Sequence, residues 1–351
     1  MAKILVIRFS AIGDVAMTVP VISSLAAQYP QHQITVLSRP FMQPLFEQMP
    51  KNVSFLGIEL SDYKGVVGMT RLYKRLKQMK FNYVADLHDV LRTQYLRFRF
   101  KLSGIPVEHI RKGRSGKRKL VRRYNKTLKQ QKSSFERYID VFSRLGLPVQ
   151  PDFTSIYQNR ERDFDLIEPI TGIKENGIKW IGIAPFAKHK GKVYPMNLQE
   201  QVIAYFAGKS QYKIFLFGGG KKEQEVFDQW IEKYPGIVSL AGKMNLNKEL
   251  LLMSYLDVML SMDSANMHFA SMVNTPVVSV WGATHPYAGF MGWGQSSRNA
   301  IQTNLNCRPC SVFGQKPCWR KDYVCLYSIA PSDIISKIKE VINMQTLDCT
   351  I

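Results

Sequence analysis

The chain has 351 residues, 45% hydrophobic and 21% charged, a folded, globular composition long enough for two domains with separate cores. No apolar stretch reaches the roughly 20 residues needed to cross a bilayer, which excludes a membrane-spanning helix. The formal net charge of +21 points to a polyanionic partner: nucleic acid, an anionic membrane or a phosphorylated substrate.

The chain opens on "KILVIR" (3–8), a continuous apolar run that predicts a strand buried on both faces. It imitates a signal peptide, but Arg8 and Asp14 interrupt the run and no small-residue cleavage site follows, so a cytosolic protein is expected. Residues 14–28 carry helical spacing and are closed by Pro30. Further strands are predicted at "ITVLS" (34–38), "VSFLGI" (53–58) and "YVADL" (83–87), with helices between them, as at 69–79. This rhythm predicts a parallel sheet with helices on both faces. It breaks at 111–132, a basic, glycine-containing stretch expected to be a solvated arm, before a helix at about 133–145.

The charged stretch 158–178 carries Pro and Gly and marks the domain boundary. The expected domains are 1–165 and 166–330, with a closing helix in 331–351. After the boundary the rhythm restarts, with strands at 179–185, 213–220, 237–242, 258–263 and 276–282 and helices at 197–208, 221–234, 247–256 and from Ser264. Two doubly wound α/β domains in tandem bind a ligand in the cleft between them, at the carboxyl ends of their strands. The chemistry is therefore expected in the loops after strands.

The first such loop is "RFSAIGD" (8–14). It lacks the glycines of a dinucleotide fingerprint and the G-K-[ST] of a phosphate-binding loop, which disfavours a dehydrogenase. Ser10 and the amides around Gly13 can still bind an anion at a helix N-terminus. Asp14 admits two readings there: a capping acid stabilised by the helix dipole, or a general base for an acceptor hydroxyl.

Three loops of the second half invite comparison. "APFAKHKGKVYP" (184–195) carries Lys188, Lys190 and Lys192, which could neutralise a diphosphate or form a solvated basic loop. In "FGGGKKEQE" (217–225) the glycines allow a close ligand approach. Glu223 or Glu225 could accept from ribose hydroxyls, or simply be exposed acids. In "MDSANMHFA" (262–270) a strand runs straight into a helix, whose free amides over Ser264, Ala265, Asn266 and Met267 form an anion cradle. Asp263 reads as its N-cap, and His268 as core packing or a pocket residue.

These pieces, in this order, resemble glycosyltransferase family 9, the ADP-heptose:lipopolysaccharide heptosyltransferases. The resemblance rests on "KILVIRFSAIGDVAMTVPVISSLAAQYP", "KVYP" (192–195), "FGGGKKEQE" and "DSANMHFASMVNTPVVSVWGATHP" (263–286). It implies the GT-B fold, two Rossmann-like doubly wound parallel-sheet domains facing a central cleft, with the last helix packing on the first domain. It implies transfer of heptose from ADP-heptose to a lipopolysaccharide core or lipid A-linked acceptor, with inversion and no catalytic metal, at the cytoplasmic face of the inner membrane. By matching position, Asp14 would be the base, Lys192 would hold the diphosphate and donor sugar, and Glu223 would contact the ribose. Asp263, the Ser264–Met267 amides and His268 would line the donor pocket. The family usually has Gly where this chain has Ala265 and commonly Thr where it has Ser264. Another nucleotide sugar or acceptor on the same fold is thus the alternative.

Three features stand outside that pattern. "DFD" (163–165) falls in the linker and reads as surface charge rather than a metal site. Cys307, Cys310, Cys318 and Cys325 have spacing compatible with a structural zinc, or are partly buried free thiols; a reducing compartment disfavours disulfides. Between Arg92 and Lys132 fifteen Lys or Arg face one acid, Glu108. Arg92, Arg97, Arg111, Lys112, Arg114, Lys117, Arg118, Lys119, Arg122 and Arg123 could bind nucleic acid, as in a non-catalytic basic module, or form a solvated face. The resemblance instead implies acceptor phosphates and the anionic leaflet, which makes nucleic acid the less favoured partner.

Overall fold

The computed structural model describes residues 1–158 and 160–348. The chain divides into two compact units: Met1–Lys112 with Lys132–Gln158, and Gly113–Gln131 with Asn159–Ile351. The basic segment 113–131 belongs to the second unit although both its flanks belong to the first.

The first unit holds five parallel strands: β1 (Lys3–Ile7), β2 (Gln33–Ser38), β3 (Val53–Gly57), β4 (Tyr83–Asp86) and β5 (Val107–His109), in the order β3-β2-β1-β4-β5. In β1, the central strand, Ile4, Leu5, Val6 and Ile7 are fully buried, as a strand covered on both faces demands. The chain builds outward from β1 through β2 and β3, then returns to lay β4 on its other side. The switch point lies between β1 and β4, where Ile7 pairs in register with Asp86. The helix expected over 14–28 is two, Ile12–Ala16 and Val19–Gln28, because Pro20 lacks an amide and sits in the first turn of the second. Helix Ser134–Arg144 starts at Ser133, whose hydroxyl accepts from the Glu136 amide while the Glu136 carboxylate accepts from the Ser133 amide.

The second unit holds six parallel strands: β6 (Lys179–Ala184), β7 (Tyr212–Leu216), β8 (Val238–Ser239), β9 (Val258–Met262), β10 (Val277–Val280) and β11 (Ala300–Ile301), ordered β11-β10-β9-β6-β7-β8. Its switch point lies between β6 and β9. Strands β5 and β11 are absent from the sequence reading, since short edge strands carry too little pattern. The closing helix, Pro331–Asp348, packs on helix Met196–Ala207 and on β9 and β10. Ile334, Ile338, Val341 and Ile342 join the core of this unit. An amphipathic pattern requires a burial partner without naming it, and within this unit that partner is the sheet and helix Met196–Ala207. The final residues of the expected 331–351 segment lie outside the described ones.

Candidate active site

Both switch points carry charged side chains at the carboxyl ends of the strands, where open α/β sheets take ligands. In the first unit, Arg8 follows β1 directly and is buried. Its guanidinium pairs with Asp14 Oδ2 at 3.0 Å, donates to the Leu87 carbonyl and lies 5.8 Å from the Tyr138 ring centre. Burial works against this charge, but Tyr138, Asp14 and Asp86 outweigh it and hold the Arg8 pKa above its ordinary value.

Asp14 sits in the first turn of helix Ile12–Ala16. Its Oδ2 also accepts from the Ala11 amide at 3.2 Å, and its backbone carbonyl accepts from the Tyr138 hydroxyl at 3.2 Å. The capping role is therefore present in the structure. The carboxylate nonetheless stays 32% exposed, open to a further partner. His88, after β4, has Nε2 3.3 Å from Ser10 Oγ, and Nδ1 3.4 Å from the Phe9 amide. Burial, then the Arg8 and Lys112 cations, push its pKa down to about 3, so the imidazole is neutral. Buried Asp86 accepts from the His88 and Asp89 amides, and Arg97 reaches Asp86 at 3.2 Å and Asp89 at 3.4 Å. Arg8, His88, Asp86 and Tyr138 escape a sequence reading focused on the loop itself. The available signal is a charged residue closing an apolar strand, as in Ile7–Arg8 and Ala85–Asp86.

In the second unit, Lys192 Nζ meets Asp263 Oδ2 at 2.9 Å, joining the loop after β6 to the end of β9. Asp263 is thus a partner of Lys192, and the N-cap of helix Ala265–Met272 is Ser264, whose Oγ lies 3.2 Å from Ser261 Oγ. The first amides of that helix, at Ala265, Asn266 and Met267, begin beside the ion pair, and His268 is buried behind them. Glu223 folds back from helix Lys221–Lys233 and accepts from the Gly219 amide at 2.7 Å, which puts its carboxylate at the tip of β7. Lys188 is exposed. Asp163 and Asp165 are exposed as well, in keeping with surface charge.

The loop carrying the four cysteines builds one wall of this site. Gly314 lies against Lys192. Buried Arg308 donates to the Gly282, Thr284 and Thr303 carbonyls, tying the loop to the end of β10. All four cysteines are free thiols. Among the described residues no three His, Cys, Asp or Glu gather into a metal-holding group.

The basic residues divide three ways. Arg92 and Arg111 are exposed on the first unit. Arg97 is held by its acids, and Lys112 Nζ donates to the Asp89 carbonyl at 2.8 Å. Segment 113–131 contains a helix, Arg114–Leu120, and is docked rather than solvated. Lys117 is buried with Nζ 4.1 Å from the Phe290 ring centre. Arg123 stacks at 4.3 Å on Trp319, and Lys126 donates to the Asn306 carbonyl at 3.1 Å. Arg114, Arg118, Lys119 and Arg122 remain at the surface. Cation–π contacts decide this docking, and their partners lie in loops far along the chain.

The family model described as "Glycosyltransferase family 9 (heptosyltransferase)" matches residues 69–318. Lipooligosaccharide heptosyltransferase 2 of Campylobacter jejuni serotype O:2 is 21% identical over 339 residues, covering 95% of this chain and 96% of that protein. The serotype O:6 protein of the same name is 25% identical over 174 residues, so this match spans about half of its length, 53%. Among solved structures, ADP-heptose lipopolysaccharide heptosyltransferase II of E. coli superposes with a TM-score of 0.71 at 20% identity, covering 98% of this chain and 99% of that one.

Proposed function

The chain belongs to glycosyltransferase family 9, and from that premise we propose that it moves a heptose from ADP-heptose to a lipopolysaccharide core or lipid A-linked acceptor, inverting the anomeric centre. The fold is GT-B and the protein is a glycosyltransferase; the choice of sugar and acceptor is our reading. The observation that carries it is the Lys192–Asp263 ion pair at the β6/β9 switch point, with the first amides of helix Ala265–Met272 beside it.

In this reading the second unit holds the donor. Lys192 and the helix amides take the charge that grows on the diphosphate as the anomeric carbon–oxygen bond breaks. Glu223 accepts from the ribose hydroxyls. Asp14 takes the proton of the acceptor hydroxyl as that oxygen attacks the anomeric carbon from the opposite face. Arg8, paired with that carboxylate at 3.0 Å, fixes its direction. The names of the relatives, lipooligosaccharide and lipopolysaccharide heptosyltransferases, support the heptose and the acceptor class. The same reading places the enzyme at the cytoplasmic face of the inner membrane, with the exposed cations of 113–131 meeting acceptor phosphates. No helix among the described residues is long and apolar enough to cross a membrane.

Ala265, in place of the glycine expected there, favours a second reading: the same chemistry with another nucleotide sugar. A thermal-shift screen of ADP-, GDP- and UDP-sugars, followed by product analysis with ADP-heptose, separates the two. Stabilisation by ADP-heptose with transfer is expected, and selective stabilisation by a UDP- or GDP-sugar overturns the donor assignment.

A further inference from the structure

Helix Leu91–Leu102 has two apolar faces. Thr93, Leu96 and Phe100 are buried against the core. Leu91, Tyr95, Phe98 and Leu102, spaced three or four residues apart, form a stripe along the opposite side. On that stripe Leu91 is 84% exposed, Phe98 59% and Leu102 69%. A helix that only roofs a sheet has no use for a second apolar face. The neighbouring helix, Gly65–Gln78, adds Val66 and Val67, 68% and 81% exposed. The two helices are joined where Thr70 Oγ1 meets the Tyr95 hydroxyl at 2.6 Å.

The charge on this face has one sign. From Lys64 to Leu102 the chain has ten Lys or Arg and two acids, Asp86 and Asp89, and both acids are paired with Arg97. Neither helix carries an acid. Arg99 is stacked 4.6 Å from the Tyr73 ring centre, while Lys74, Lys77, Arg92 and Lys101 are exposed. An exposed apolar stripe flanked by cations is the pattern of a helix lying in a membrane interface. A second copy of the chain would oppose cations to cations, so a dimer does not fit.

The geometry points to this helix pair as the surface on which the first unit sits on an anionic bilayer, with Leu91, Phe98 and Leu102 entering the headgroup–acyl boundary and the flanking lysines meeting lipid phosphates. It is a different surface from segment 113–131, which is docked on the second unit. It rests on the functional reading, which already places the enzyme at a membrane, and adds the surface that meets it; it is measured without donor or acceptor.

The test is co-sedimentation of the full chain with vesicles of one part phosphatidylglycerol to three parts phosphatidylethanolamine, against phosphatidylcholine alone. The wild type is expected to bind the first and not the second. The variant Leu91→Ser/Phe98→Ser/Leu102→Ser, altered only at exposed positions, should lose at least about ten-fold in partitioning. Lys74→Gln/Lys77→Gln/Lys101→Gln should lose about five-fold per cation at low salt, and less as salt rises. Arg118→Gln/Arg122→Gln should retain binding. Equal binding to both vesicle types, unchanged partitioning of the apolar variant, loss confined to the Arg118/Arg122 variant, or tighter binding to single-stranded RNA than to vesicles would each overturn the proposal. An ADP-induced thermal shift, expected in wild type and apolar variant alike, keeps the two readings apart. Its absence from the wild type counts against the donor assignment, while the vesicle result still decides the surface.

Discussion

Gly314 lies against the side chain of Lys192: a Cβ built on the glycine would stand 2.7 Å from Lys192 Cγ and 3.0 Å from Cε. The cysteine-bearing loop thereby sets the path by which the lysine reaches Asp263. Gly314 also has φ +78°, a left-handed conformation that other residues adopt at a cost. Gly314→Ala therefore combines backbone strain with displacement of the ammonium. About ten-fold weaker donor binding is expected, together with a stability loss of about 1–2 kcal/mol. Gly208→Ala, outside the donor loops, is the control, because its added methyl would make only an ordinary contact, 3.6 Å from the Ala204 carbonyl oxygen. Calorimetric titration with ADP checks both, and equal affinities would remove Gly314 from the positioning of Lys192.

Asp14→Asn separates the two roles that the structure allows the carboxylate. An amide oxygen can still accept from the Ala11 amide, so the cap survives. The base does not, and Arg8 loses its ionic partner. Turnover should fall roughly a thousand-fold, against a stability cost of about 1–3 kcal/mol for the buried guanidinium. ADP binding should be unchanged. Wild-type turnover in a purified transfer assay would leave Asp14 as a capping residue only.

The sequence reading and the structure agree where a pattern is local and part where contacts are remote. The "ILVI" run of β1 reads as a doubly covered strand, and the loops after β1, β6, β7 and β9 are visible as the ends of apolar runs, closed by glycines after β7 and by Asp263 after β9. The role of Asp263 was not legible, because Asp and Ser both cap helices. The Lys192 ammonium, some seventy residues away in sequence, gives Asp263 its partner and leaves the cap position to Ser264. Segment 113–131 looked solvated because its charge density is high. Phe290 and Trp319, which hold Lys117 and Arg123, belong to loops whose positions only the fold determines.

Lys192→Gln and Asp263→Asn should separate binding from positioning. The first removes the charge assigned to the diphosphate, and a loss of about 1.5–3 kcal/mol in ADP affinity follows from a missing charge-assisted hydrogen bond. The second leaves the ammonium in place without its anchor, so KM for the donor should rise more than kcat falls. Asp263→Asn should bind ADP more tightly than Lys192→Gln does. The reverse order in a thermal-shift titration would shift the diphosphate contact away from the lysine.

His88 makes stability depend on acid. Its folded pKa of about 3 lies well below the ordinary 6.5. The unfolded chain therefore binds a proton first, and stability falls as pH drops below 6.5. The loss continues until about pH 3, where the folded imidazole also titrates. Allowing for its partial burial, about 1–2 kcal/mol should disappear between pH 6.5 and 4.5. His88→Asn should flatten that part of the curve. His285, with its pKa pushed down to about 4 by burial, Arg308 and Lys126, adds a second acid-sensitive term in the other unit that the variant retains. Urea unfolding at several pH values measures the slopes, and parallel slopes for the two proteins would refute the assignment.

The four thiols should differ sharply in reactivity. Cys325 is buried, and burial pushes its pKa up to about 12, which leaves almost no thiolate at pH 8. Cys310 is also pushed up, by burial and then by Cys318 and Cys307. Cys307 and Cys318 are half-buried and reachable by a small reagent. Thiolate is the reacting form, so iodoacetamide should modify Cys307 and Cys318 first, with Cys310 slower and Cys325 at least about a hundred-fold slower until the protein is unfolded. Peptide mass mapping of a time course gives the order. With the four thiols free, as they stand in the structure, a chelator should change neither the rates nor the melting temperature. Protection of all four that a chelator releases would instead restore the zinc expectation.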